Sequence, residues 1–140
     1  MRMADQNRQW LLRARPSGMV KPSDFELREA PVPALADGQA RVRVLYLSFD
    51  PAMRGWMEDR PSYIPPVQIG EVMRAGAVGQ VVESRSPDYE VGDFLQGTFG
   101  WQDYAIVARG GVMPAAALPK GVPLTWPLGV CGITGLTAYF

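Results

Sequence analysis

The chain has 140 residues, 47% of them hydrophobic, enough for one domain with its own core but not comfortably two. Fourteen basic and fourteen acidic side chains cancel, which leaves no basic stripe for nucleic acid. With no histidine and one cysteine, the chain lacks the commonest general base, a Ser-His-Asp or Cys-His nucleophile system and a zinc ligand set. No apolar run is long enough to span a bilayer, and the polar N-terminus has no secretory apolar segment, so a cytoplasmic location is expected. The single Cys131 excludes an internal disulfide and suits a reducing compartment.

Glycines and prolines fall between short runs of β type, a pattern that predicts an all-β barrel or sandwich. A first strand is expected over Gln9–Arg15, followed by the turn Pro16-Ser17-Gly18, and a second over Phe25–Glu29. The clearest alternation is Gln39–Leu47, with Val42, Val44 and Tyr46 on one face and Arg41, Arg43 and Leu45 on the other. Asp50-Pro51 then breaks the β pattern and predicts a short helix ending near Gly55, with Asp50 as N-cap and Pro51 at the first helical position. Residues 58–66 read as an exposed loop. Further strands are expected over Ala77–Ser84, with Gly79 at a bulge, over Phe94–Phe99 after the turn at Tyr89–Asp93, and over Trp101–Val107 before the Gly110-Gly111 turn. Pro114–Pro127 is proline-rich and irregular. Leu128–Phe140 is apolar to its last residue and carries no capping signal, so it reads as the opening of a buried helix whose packing partner lies elsewhere.

Several features admit an ordinary structural role. Gly76-Ala-Val-Gly79 and Gly129-x-x-Gly132-x-x-Gly135 fit neither a dinucleotide fingerprint nor a Walker loop, and turns or close helix packing account for them. Asp50 and Arg54 have the spacing of a surface ion pair worth about half a kcal/mol. Tyr63, Phe99, Trp101 and Tyr104 are candidates either for the core or for an apolar pocket wall. Cys131, in an apolar segment, is expected to be buried.

Three segments together carry a family resemblance: Tyr46-Leu-Ser-Phe-Asp-Pro-Ala-Met-Arg-Gly-Trp-Met57, Gln68–Ser84 and Leu128-Gly-Val-Cys-Gly-Ile-Thr-Gly-Leu-Thr-Ala-Tyr-Phe140. With the Gly92-Asp93 turn and Gly100–Val107, they resemble the N-terminal part of zinc-independent medium-chain dehydrogenase/reductases. The branch is that of prostaglandin reductases, 2-alkenal double-bond reductases and bacterial curcumin reductase. The resemblance covers nearly the whole chain in the family's order. It implies a mainly β, GroES-like barrel with short helices over residues 1–125. Residues 126–140 would then begin the linker helix to a Rossmann domain that binds most of an NADPH cofactor. It also implies reduction of the carbon–carbon double bond of α,β-unsaturated aldehydes and ketones without a metal, by a full-length homodimer; this chain alone would be incomplete. The family's glycine fingerprint and its pocket tyrosine would lie beyond Phe140.

Carried over position by position, the resemblance places Asp50, Ile133 and Thr137 at the nicotinamide end of the cofactor. Ala52, Tyr63, Phe99 and Trp101 fall on the substrate wall, and no residue of this chain is assigned a catalytic step. Two departures stand out. Ala52 replaces the tyrosine of the family's Asp-Pro-Tyr-Met-Arg motif, so the pocket is larger there or is filled by Trp56 or Tyr63. Ile133-Thr134 replaces a Met-Pro pair, which alters the entry to the last helix. The alternative is a stand-alone β-barrel module for binding or oligomerisation, its apolar end covered by a second copy.

Overall fold

In a computed structural model of the chain, residues 6–110 and 115–140 are described. Strands β1 (Gln6–Leu12) and β2 (Phe25–Pro31) form an antiparallel ribbon. The remaining strands are β3 (Gln39–Leu47), β4 (Gly76–Ser84), β5 (Phe94–Thr98), β6 (Tyr104–Ala108) and β7 (Ala116–Ala117). They make one antiparallel sheet in the order β6-β3-β4-β5-β7. Two short helices, α1 (Ala52–Trp56) and α2 (Ile133–Tyr139), complete the fold. The mainly β architecture expected from the glycine and proline punctuation is the one observed. Of the expected Gly110-Gly111 turn, Gly111 lies outside the described residues, as does Pro114.

The free edge of β1 does not face solvent; a β-strand edge left open would keep a row of backbone groups unpaired. The Trp10 N–H donates to the Trp101 carbonyl at 2.9 Å, and the Met73 N–H donates to the Trp10 carbonyl at 2.9 Å. The Leu12 N–H donates to Glu71 at 2.9 Å. These bonds lace the ribbon to the connections on either side of the sheet and close the barrel. They also explain why two strands differ from expectation. β1 ends at Leu12 because the Arg13 and Ala14 N–H groups turn to the Asp24 carbonyl. β6 starts at Tyr104 because the backbone of residues 101–103 is engaged with β1, Met73 and Val44.

Two apolar clusters fill the interior. Val42, Val81, Leu95, Phe99 and Tyr89 pack inside the sheet. Leu12, Met53, Met57, Val67 and Met73 pack beneath α1, and Leu47 touches both groups. Fully burying each such large side chain stabilises the fold by about 1.5–3 kcal/mol. Asn7 is buried with them and fully used: its Nδ2 donates to Gln102 Oε1 and the Tyr104 carbonyl, and its Oδ1 accepts from the Tyr104 N–H.

The bulge sits opposite Gly79 and not on it. Val44 pairs with Gly79 and Tyr46 with Val78, so Leu45 is the unpaired residue and belongs to β3. The extra residue re-phases the alternation, and Tyr46 emerges 45% exposed on the face predicted to be buried. A Cβ on Gly79 would stand 2.5 Å from both the Arg43 carbonyl oxygen and Val42 Cγ1, which is why glycine occupies the position.

At α1 the cap is Pro51, with helical φ and ψ; Asp50 makes no side-chain cap. Arg54 pairs with Glu58 at 2.9 Å, in the next turn, instead of with Asp50. The last helix begins at Ile133, after a 3₁₀ turn over Trp126–Leu128, and none of its residues is buried. Cys131 lies between the two turns and is exposed, contrary to the buried position expected of it.

Candidate active-site groove

A groove of about 530 Å³ runs between α1 and α2, roofed by the loop that leaves α1. One wall is Ser48, Asp50 and Ala52 from the end of β3 and the start of α1. The other is Ile133, Thr134 and Thr137 from α2, with Trp56 and Tyr63 at one side and Gln96 from β5 at the base. Ser48 and Asp50 are two apart on extended chain and face the same way; the Ser48 hydroxyl donates to Asp50 Oδ2 at 2.8 Å. Gln96 Nε2 donates to the Pro127 carbonyl at 3.0 Å, fastening the approach to α2 onto the sheet. Thr137 Oγ1 donates to the Ile133 carbonyl at 2.8 Å, which leaves its lone pairs toward the groove. Gly135 allows α2 to start so close to the preceding turn, because a Cβ there would overlap the Val130 carbonyl.

Asp50, Ala52, Tyr63, Ile133 and Thr137 are thus brought around one groove. Phe99 and Trp101 lie elsewhere. Phe99, the residue after β5, is 4% exposed and packs in the core cluster with Leu95. Trp101 packs between Phe25 and Phe49, 5.2 Å from each ring centroid, in a second apolar cleft with Trp10 and Leu27. Its indole Nε1 is buried there without a partner among the described residues. That cleft is rimmed by Arg8 and Asp103, joined by two hydrogen bonds at 2.8 and 3.0 Å. The guanidinium hydrogen bond holds the Asp103 carboxyl below its ordinary range, and Asp103 in turn raises Arg8.

Ser48, Gln96 and Thr134 are groove residues that sequence reasoning did not single out. The Ser48-x-Asp50 spacing was a legible signal. Gln96 was not, because it reaches the groove only through the pairing of β5 with β4 and β7.

The chemistry of the lining suits part of a nicotinamide cofactor. Hydroxyls, an amide and a carboxylate can meet a carboxamide and ribose, while Trp56, Ile133 and Ala138 can cover a ring face. Among the described residues no lysine or arginine lines the groove, so none of its lining would neutralise a phosphate. Among the described residues no group of three His, Cys, Asp or Glu is placed to hold a metal ion.

Residues 8–115 match the family described as the N-terminal domain of oxidoreductase, and the chain belongs to that family. It is 47% identical over 133 residues to the NADPH-dependent curcumin reductase of Escherichia coli K12, covering 95% of this chain and 38% of that protein. It is 33% identical to the NADP(+)-dependent 2-alkenal reductase of Nicotiana tabacum, covering 95% of this chain and 40% of that one. The crystal structure of CurA from Vibrio vulnificus in complex with NADPH superposes with a TM-score of 0.85 at 41% identity, over 94% of this chain and 39% of CurA. The resemblance to the curcumin and alkenal reductase branch, and the expected mainly β domain, are borne out. The chain spans about two fifths of the length of the relatives it matches.

Proposed function

We propose that this chain is the substrate-side part of an NADPH-dependent reductase of α,β-unsaturated aldehydes and ketones. Residues 1–125 form the substrate domain, and 126–140 lead to the part that binds the rest of the cofactor. The observation that carries the proposal is the groove itself. It gathers polar groups fit for a nicotinamide beside an apolar space fit for an enone, and offers no cation for the phosphates. The relatives are named as an NADPH-dependent curcumin reductase and an NADP(+)-dependent 2-alkenal reductase, which supports the cofactor part of the reading.

When bound, the cofactor supplies the hydride. The chain's own contribution is placement and exclusion. Ser48, Asp50 and Thr137 orient the carboxamide end, and Ile133 and Ala138 cover it from water. The space left by Ala52 admits the substrate, whose β-carbon must face the nicotinamide. The exposed side chains of α2, among them Ile133 at 82% and Tyr139, with Phe140 just after it, are the face against which the cofactor-binding part would pack. The test is NADPH oxidation by the complete gene product with 4-phenyl-3-buten-2-one or 2-hexenal. Turnover of either, with loss of the double bond and retention of the carbonyl, is expected. Reduction of the carbonyl alone, or no turnover, contradicts the proposal.

A further inference from the structure

We propose that the Tyr63 hydroxyl is the hydrogen-bond donor to the substrate's carbonyl oxygen, and that Trp56 and Arg74 position it; the inference rests on the enone-reductase proposal above. Tyr63 Oη accepts a hydrogen bond from the indole Nε1 of Trp56 at 2.9 Å. A phenol has one proton to donate, and among the described residues the Tyr63 proton goes to no protein group. Both side chains line the groove that holds Ala52 and Thr137. The hydroxyl is therefore held by the indole while its proton remains free for a ligand.

Tyr63 is 81% exposed, so its usefulness depends on how firmly its loop is held. The base of the loop is closed by the Val67 N–H, which donates to the Trp56 carbonyl at 2.8 Å. Arg15 Nη1 donates to the Met57 and Val67 carbonyls at 2.9 and 2.6 Å. Past the tip, Arg74 Nη1 donates to the Pro65 carbonyl at 2.9 Å. The same guanidinium stands 5.5 Å from the centroid of the Trp56 ring, within range of a cation–π attraction. Arg74 thus fixes the loop and the indole together, and the indole fixes Tyr63. A hydroxyl that already accepts a hydrogen bond donates a stronger one, since linked hydrogen bonds polarise each other.

In the reaction, a hydride adds to the β-carbon and NADPH becomes NADP+. The electron pair of the double bond shifts to join the α-carbon to the carbonyl carbon, and negative charge collects on the oxygen. Tyr63 donates a hydrogen bond to that oxygen and keeps its proton. Water then protonates the α-carbon, restoring the carbonyl. A preorganised donor at developing oxyanion charge is the kind of interaction that lowers the barrier without tightening ground-state binding.

The experiment compares wild type, Y63F, W56F and the double variant of the complete gene product in NADPH-dependent reduction of 4-phenyl-3-buten-2-one. The Trp56 indole proton resonance is recorded for wild type and Y63F. Y63F removes one atom from an exposed ring, so its melting temperature should match the wild type. We expect Y63F to lower kcat on the order of 10²-fold, with KM changed less than about threefold. W56F should lower kcat by about three- to tenfold, and W56F added to Y63F should lower it no further, because phenylalanine keeps an aromatic face in the groove and loses only the hydrogen bond to Tyr63. The Trp56 resonance should move upfield in Y63F as its acceptor is lost. An active wild type with unchanged kcat in Y63F, or additive losses in the double variant, overturns the inference and leaves the enone-reductase proposal standing. A wild type that reduces no enone overturns both.

Discussion

Ala52 lines the groove, and in the proposed reaction its small side chain leaves room for the substrate. The position where the resemblance expects a tyrosine carries a methyl group here, and Trp56 and Tyr63 line the same groove. Restoring the ring by A52Y should raise KM for 4-phenyl-3-buten-2-one by about tenfold while leaving 2-hexenal nearly unaffected, since a pocket discriminates by the volume it excludes. Equal effects on both substrates would show that Ala52 does not bound the substrate space. Asp103 works at the other end of β1. Its carboxyl is depressed in the folded state by the hydrogen bond from Arg8. A depressed carboxyl adds stability above its unfolded range of about pH 4 and loses it as the pH falls through the folded value. D103N should therefore be less stable than wild type in urea at pH 7, and the difference should close below about pH 4. A difference that persists unchanged at pH 2–3 would assign the effect to packing.

Strand β4 depends on the missing side chain of Gly79. In G79A the new Cβ meets backbone as well as Val42, so relief requires the β3 bulge to move. A loss of about 1–3 kcal/mol in a urea melt is the expected outcome, the range found for overpacked cores; a neutral G79A would show that the bulge yields freely. The extents of the elements were legible where an alternation or a proline break marked them. β3 is observed over the residues its alternation marked, and the Asp50-Pro51 break announced α1. What was not legible came from partners distant in sequence. The bulge at Leu45 re-phased Tyr46, the laces from β1 shortened β6, and Phe99 joined the core cluster of Leu95. Local pattern contains no term for any of these. The groove was half legible for the same reason: residues near the Asp-Pro motif and on α2 could be named, whereas Gln96 arrives through sheet order alone.

At the scale of the molecule, the proposed function makes the groove one half of a cleft. α2 turns none of its side chains into the barrel, and its outward face is apolar. The groove beside it is lined by hydroxyls, an amide and a carboxylate, with no lysine or arginine among the described lining residues. Relatives about two and a half times as long, one of them solved with NADPH, are consistent with a second part that supplies the phosphate contacts. The most direct measurement is calorimetric titration of NADPH into the 140-residue chain and, in parallel, into the complete gene product. The division of labour proposed here predicts micromolar binding by the complete protein and no binding by the chain below about 1 mM, roughly the 4 kcal/mol scale of a weak partial site. Submillimolar binding of NADPH by the 140 residues alone would contradict it.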